Sequence, residues 1–407
     1  MKKITGGVTA AKGFQATATA AEIKYKNRDD MALVYSKVPA KVAGVFTRNV
    51  VKAAPVKWDM DIVAQEEVAQ AVILNSGIAN AGTGSEGDKV NEAMAQQVAD
   101  ALQIPLRSVL TASTGVIGVQ IPVDRAKKGI TDMAGTISDS LESGNQAAKA
   151  IMTTDTICKE CAVEFTIQDT TVTIGGMSKG SGMIHPDMAT MLCVITTDIA
   201  ISKELLQEAV KADVKDSFNM ISVDRDTSTN DSMMVLANGQ AGNAEITQKG
   251  EEYDHFCEAL AMVTKTLAKM MAGDGEGATK LFEAKVIHAK SKEDAVVLSK
   301  SVITSNLVKT AVYGSDANWG RILCALGYSG AEFNPDIVDI YIESEGNCIK
   351  LCEDGLATNY SEEEATKILS AKEVTAIADM KNGEASATAW GCDLTYDYVK
   401  INGDYRS

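Results

Sequence analysis

Proline, histidine and cysteine are all scarce in this chain of 407 residues, which has 6 Pro, 3 His and 8 Cys. So few prolines exclude a collagen-like or proline-rich low-complexity chain. Three histidines leave little material for a Ser-His-Asp triad: none lies in a nucleophile elbow, His255 falls inside a helical pattern and His288 at a strand end. The cysteines are too sparse for a disulfide-stapled secreted scaffold. Most sit in apolar runs such as 191–195 and 322–326, so reduced, buried thiols are expected. The close pairs Cys158-x-x-Cys161 and Cys348-x-x-x-Cys352 fall short of a zinc site, which needs four ligands, and no metal is expected. Long apolar runs are missing too. No window reaches the roughly 18 uncharged apolar residues of a membrane span. The chain opens on Met1-Lys-Lys and runs into Thr5-Gly-Gly, not into an apolar signal core, so a cytoplasmic protein is expected. Positive charge is in deficit: 39 Lys+Arg face 55 Asp+Glu, and the net charge of −16 argues against nucleic acid and anionic membranes as partners.

What is present reads as a mixed α/β protein. Hydrophobic residues make up 45% of the chain and charged residues 23%, enough apolar surface for an ordinary globular core. Its length corresponds to roughly two to three domains or lobes. Runs rich in β-branched residues at 31–35, 70–74, 163–167, 171–174, 192–196, 233–236 and 336–342 predict strands. Apolar residues recurring every three or four positions predict helices over 88–102, 203–218 and 251–271. The last of these ends at Gly273-Asp-Gly-Glu-Gly277, a cluster too flexible to continue a helix. No internal repeat or polar linker marks a domain boundary.

Three stretches stand out chemically. Gly175-Gly-Met-Ser-Lys-Gly-Ser-Gly-Met-Ile-His-Pro-Asp-Met-Ala-Thr190 matches neither a phosphate loop nor a dinucleotide loop, and by itself reads as a glycine-rich turn leading into a buried strand. Asp224-Arg-Asp-Thr-Ser-Thr-Asn-Asp231 begins like a calcium loop, but Thr229 replaces the turn glycine and Val235 the closing Glu. It remains either a polar network beside a site or strand start, or a surface turn. Ser113-Thr-Gly-Val-Ile-Gly118 reads as a glycine turn after a strand.

Taken together, these stretches resemble the ornithine acetyltransferase family, the bifunctional glutamate N-acetyltransferase/amino-acid acetyltransferase of arginine biosynthesis. The resemblance spans nearly the whole chain. It is carried by Gly6-Gly-Val-Thr-Ala, Lys12-Gly-Phe, Ala43-Gly-Val-Phe-Thr, Val51-Lys-Ala-Ala-Pro-Val, Asn75-Ser-Gly, Ser113-Thr-Gly-Val-Ile-Gly, Met152-Thr-Thr-Asp-Thr, Lys179-Gly-Ser-Gly-Met-Ile-His-Pro, Met188-Ala-Thr-Met-Leu, Asp226-Thr-Ser-Thr-Asn-Asp and Asn318-Trp-Gly-Arg-Ile. Ile78 and Gly82 stand where the family pattern has Asn and Cys, and Arg225 where Gly is common.

The resemblance implies an N-terminal-nucleophile enzyme of layered α-β-β-α architecture that cuts itself at Ala189-Thr190. The products are an α chain, 1–189, with the oxyanion hole and a substrate loop, and a β chain, 190–407, with the nucleophile and C-terminal substrate-binding residues. Cleavage gives Thr190 its own α-amine as base. With a reference pKa near 7.7 against about 10.4 for lysine, that amine has a free-base fraction at pH 7 roughly 500-fold larger. The resemblance assigns Thr114 and Gly115 to the oxyanion hole, where each donor is typically worth about 3 to 4 kcal/mol of barrier. Thr153, Lys179, Thr190, Glu276, Asn402 and Ser407 match substrate-binding positions; Lys179 would pair the substrate α-carboxylate, Glu276 its ammonium or the Thr190 amine, and Asn402 and Ser407 would close the far end of the pocket. The implied reaction is ping-pong: N-acetylornithine acylates Thr190, ornithine leaves, and glutamate takes the acetyl group. No cofactor is implied beyond acetyl-CoA as a co-substrate of a bifunctional member, and assembly is of two α and two β chains. The alternative is an N-terminal-nucleophile amidase or aminopeptidase, in which water resolves the acyl-enzyme.

Overall fold

The computed structural model describes residues 1–185 and 191–404 and divides the chain into two compact units. The first comprises 1–180, 186–219 and 227–267, the second 181–185, 220–226 and 268–407. The described residues of the first unit form a nine-stranded sheet from β1 (Lys2–Ile4), β2 (Phe14–Thr19), β3 (Met31–Phe46), β4 (Val68–Asn75), β5 (Val109–Ser113), β6 (Lys159–Ile167), β7 (Thr170–Lys179), β8 (Leu192–Thr197) and β9 (Ser232–Ala237). Their order is β1-β6-β7-β8-β9-β3-β4-β5, with β2 paired to β3.

The unbroken apolar run of β4 follows from burial on both faces. Val72 and Leu74 join Phe14, Val34, Leu110 and the helical Ala147 and Ala148 in one cluster. Ala71 and Ile73 point the other way, against Met94 and Val98 of helix Gly84–Leu102 and Ile130 and Met133 of helix Val123–Ala134. β4 and β5 run parallel with Asn75 opposite Ser113, so both strands deliver the loops that follow them to the same edge.

The second unit carries a six-stranded sheet, β10 (Leu281–Ala289), β11 (Asp339–Ser344), β12 (Asn347–Glu353), β13 (Leu356–Ala357), β14 (Glu373–Asp379) and β15 (Ala385–Cys392), ordered β13-β12-β11-β14-β10-β15. Ile342, Leu351, Ile368, Leu369 and Val374 form a core there. Among the described residues no single helix is long and apolar enough to cross a membrane.

The α/β class holds in both units, and several local expectations need correction. The helix expected over 203–218 ends at Asp213, because Ser217 Oγ donates 2.9 Å to the Asp213 carbonyl and caps it. The strand expected from residue 336 begins at Asp339, since Pro335 and the Asn334 cap, which accepts the Asp336 N–H at 3.0 Å, set a 3-10 turn over Pro335–Ile337. The supposed glycine turn at 175–179 is the end of β7. Its glycine permits a close crossing, since a Cβ on Gly175 would lie 2.1 Å from the Gly7 carbonyl oxygen. Cys324 and Cys348 are exposed, not buried, whereas Cys161, Cys193, Cys352 and Cys392 are buried as expected. Arg225, where Gly is common in the resembled family, takes φ +72, the left-handed region that favours glycine.

Candidate functional site

The loops that follow β4 and β5 lock together. Thr114 N–H donates to Asn75 O (3.0 Å), Val116 N–H to Gly77 O (3.1 Å) and Ala79 N–H to Val116 O (3.0 Å). Gly115 passes over Gly77 at φ +129, so close that a Cβ would stand 2.2 Å from the Gly77 carbonyl carbon. Side chains fix the crossing from beneath. Ser113 Oγ donates to Asn75 Oδ1 (2.7 Å), while Asn230 Nδ2 donates to Ser113 O (2.8 Å) and Ala79 O (2.6 Å). Among the described residues no acceptor takes the Gly115 N–H.

Onto this corner β7 delivers Lys179, its last residue. Lys179 is only 7% exposed, and its Nζ donates to Thr114 Oγ1 at 3.2 Å. A buried lysine needs a counter-charge, and Asp155 supplies it. The Asp155 carboxylate accepts Lys159 Nζ (2.7 Å) and Gly180 N–H (2.7 Å) on one oxygen and Thr153 N–H (3.0 Å) on the other. Burial alone would raise its pKa. The charges of Lys179 and Lys159 and the bonds from Lys159 and Gly180 outweigh that and hold it down at about 2. Thr153, Lys179 and Thr114 are thus gathered in the first unit by a carboxylate that sequence reasoning left without a role, although Asp155 stands in the quoted Met152-Thr-Thr-Asp-Thr motif.

Asp231 is buried beside the same lysine. Burial pushes its carboxyl well above the usual range, against the Ser228 hydrogen bond, the Lys179 charge and the Met191 N–H. Met191 O accepts Ser232 N–H at 2.8 Å, so the start of β8 is fastened to β9. Residues 224–231 are more than a surface turn: Thr229, Asn230 and Asp231 are buried, and Asn230 supports the Ser113–Thr114 corner.

Within the second unit Glu276 is 6% exposed and accepts Asn402 Nδ2 at 2.7 Å, while its own N–H donates to Ser181 O at 2.8 Å. Gly182 lies under the carboxylate, where a Cβ would fall 2.4 Å from it. Asp393 takes the N–H groups of Thr279 (2.8 Å) and Lys280 (3.1 Å), and Thr395 Oγ1 donates to Gly277 O (2.7 Å); these bonds fix the glycine loop that carries Glu276. Asp224, also unassigned by sequence, receives Met183 N–H (2.6 Å) and Ile184 N–H (2.8 Å), and Tyr398 OH donates to it at 3.3 Å. Glu276 and Lys179 are therefore buried, partnered side chains, not solvated surface charges. Ala189, Thr190 and Ser407 lie outside the described residues. Among those described, no three His, Cys, Asp or Glu side chains group as metal ligands.

Comparison with known proteins bears on the whole chain. A model of the ArgJ family matches residues 15–407. The chain is 50% identical over 407 residues, the full length of both, to the arginine biosynthesis bifunctional protein ArgJ of Caldanaerobacter subterraneus. It is 52% identical over 400 residues, 98% of this chain and 97% of the relative, to ArgJ 1 of Clostridium acetobutylicum. Among solved structures it is 42% identical to the Mycobacterium tuberculosis ornithine acetyltransferase complexed with ornithine, covering 46% of this chain and 99% of that one, with a TM-score of 0.44.

Proposed function

Since the chain belongs to the ArgJ family, we propose that this acyltransferase moves an acetyl group from N-acetylornithine to glutamate in arginine biosynthesis, through an ester on Thr190. The chain cuts itself at Ala189-Thr190 into 1–189 and 190–407, and Thr190 becomes a chain start. Thr190 Oγ attacks the acetyl carbonyl and its proton passes to its own α-amine. Thr114 and Gly115 stabilise the oxyanion that forms, and the amine returns the proton to the departing ornithine nitrogen. Glutamate's amine then attacks the ester and regenerates the Thr190 hydroxyl, giving N-acetylglutamate.

Substrate binding is assigned to Thr153, Lys179, Glu276, Asn402 and Ser407, the positions that match the family's substrate-binding residues. Each turnover needs no cofactor. Acetyl-CoA serves as a second acetyl donor to the same threonine, in keeping with the word bifunctional in the relatives' names. The working assembly is two α and two β chains in the cytoplasm.

The observation that carries this reading is the Thr114–Gly115 corner: one N–H given to no acceptor among the described residues stands next to a hydroxyl held by a buried lysine, two donors of the kind an acyl-transfer oxyanion requires. The test is ornithine release from N-acetylornithine with and without glutamate. Release that requires glutamate and yields N-acetylglutamate in equal amount is expected. Release indifferent to glutamate would make the protein a hydrolase.

A further inference from the structure

The geometry points to Lys179 as a positioning residue for the oxyanion hole: its ammonium fills the acceptor side of the Thr114 hydroxyl and so turns that hydroxyl's single proton toward the oxyanion. This inference rests on the acetyl-transfer reading above and assigns Lys179 a task other than pairing a substrate carboxylate.

An ammonium has three N–H donors and no lone pair, so in the 3.2 Å contact between Lys179 Nζ and Thr114 Oγ1 the lysine must donate and the hydroxyl must accept. Thr114 cannot serve the oxyanion through its backbone, because its N–H is already given to Asn75 O. The hydroxyl proton is what it has left to offer. A hydrogen bond received from a charged donor polarises the O–H and strengthens it as a donor in turn.

Both partners are fixed before any substrate arrives. Thr114 is bridged to Ile78 in the crossing that Gly115 makes possible. Lys179 is the final residue of β7, paired opposite Leu192, and the next N–H, that of Gly180, is tied to Asp155. The buried Asp155 carboxylate, paired with Lys159 through side chains that are 0% exposed, also faces Lys179 with opposite charge. A charged donor held in a water-poor corner suits an anion that exists only during reaction.

A double-mutant cycle on the full chain separates this from carboxylate binding. The variants are Lys179→Met, Thr114→Val and both together, and the readout is the rate of ornithine release in the first turnover at saturating N-acetylornithine. Each single variant is expected to slow acylation roughly 100-fold. The double variant should lie within about threefold of Thr114→Val alone, and Lys179→Arg should recover at least about tenfold over the Met variant. With N-acetylputrescine, a donor lacking the α-carboxylate, Lys179→Met should lose the same factor.

Multiplying losses in the double variant would overturn the inference. So would a Lys179→Met enzyme that has unchanged kcat and raised KM and is normal on N-acetylputrescine. Should the Met variant remain uncut, the cycle is run with Lys179→Arg in its place and read on the same first-turnover rate. A wild-type chain that is not acylated at all defeats the acetyl-transfer reading itself; acylation in the wild type with additive variants defeats only the role of Lys179.

Discussion

Replacing Gly115 with alanine probes the geometry of the Thr114–Gly115 corner directly, and Gly118 provides the control. Both glycines have positive φ, +129 and +82, so alanine at either position carries a backbone cost, of roughly 1–2 kcal/mol. Their surroundings differ. At Gly118 nothing lies within 4 Å of an added Cβ, whereas at Gly115 the methyl would meet Gly77 C at 2.2 Å, Gly77 O at 2.3 Å and Ile78 N at 2.6 Å. These are backbone atoms held by the Val116–Gly77 and Thr114–Asn75 hydrogen bonds, so no side chain can swing away. Opening the crossing by the ångström or more required loses those bonds, at about 1 kcal/mol each, in addition to the backbone cost. Gly115→Ala should therefore be at least about 3 kcal/mol less stable than wild type, and Gly118→Ala only about 1 kcal/mol. Urea titration at pH 7 gives both numbers. Since misplacement by about 1 Å can cost a hundredfold in rate, Gly115→Ala should also fall about 100-fold in ornithine release, and Gly118→Ala less than tenfold. Equal stability and equal activity in the two variants would refute the argument that Gly115 is required by the crossing.

Other consequences can be checked as readily. Asp155→Asn leaves the buried Lys159 ammonium without its partner and should cost about 3–5 kcal/mol at pH 7, partly restored by adding Lys159→Met. The wild-type Asp155 carboxyl is held down from 3.8 to about 2, so its contribution is present above pH 4 and lost as pH falls toward 2; the asparagine variant should lack that acid limb in a pH series of urea titrations. Asp213 behaves in the opposite sense. Burial pushes it up from 3.8 to about 6 despite the bonds from Thr264 and Ser217. The folded chain therefore holds a proton that the unfolded chain has shed, and stability falls as pH climbs from about 4 to 6. With allowance for partial exposure of the residue, Asp213→Asn should flatten that slope by roughly 1–2 kcal/mol in thermal melts. Gly182→Ala places a methyl 2.4 Å from the movable carboxylate of Glu276 and should displace it from Asn402 at less than about 1 kcal/mol in stability. A rise in KM for N-acetylornithine of tenfold or more is expected, and an unchanged KM would remove Glu276 from the substrate site.

The α/β class and most strands could be read directly from the sequence because burial on both faces writes a continuous apolar run, as in Ala71-Val-Ile-Leu74 of β4. Helix ends were harder to read, because side chains set them: Ser217 stops one helix at Asp213, and Asn334 with Pro335 delays the start of β11. The site was legible only in part, for a related reason. Thr114, Gly115 and Lys179 stand in conspicuous motifs, but that Gly115 must cross Gly77 and that Lys179 reaches Thr114 depend on pairings 38 and 65 residues apart that no local pattern encodes. Asp155 stands in a quoted motif and Asp224 heads the polar tract 224–231, but neither position tells in sequence which groups it binds. Their work is to receive the N–H groups of Gly180, Met183 and Ile184, a role visible only after folding.

The central claim is that Thr190, as a chain start, carries the acetyl group, and intact-mass analysis of freshly purified, active protein tests it most directly. The account predicts two fragments, 1–189 and 190–407, with N-acetylornithine adding one acetyl group to the second alone and glutamate removing it. A turnover-competent chain that remains whole, or acetyl transfer that never loads the 190–407 fragment, would contradict it.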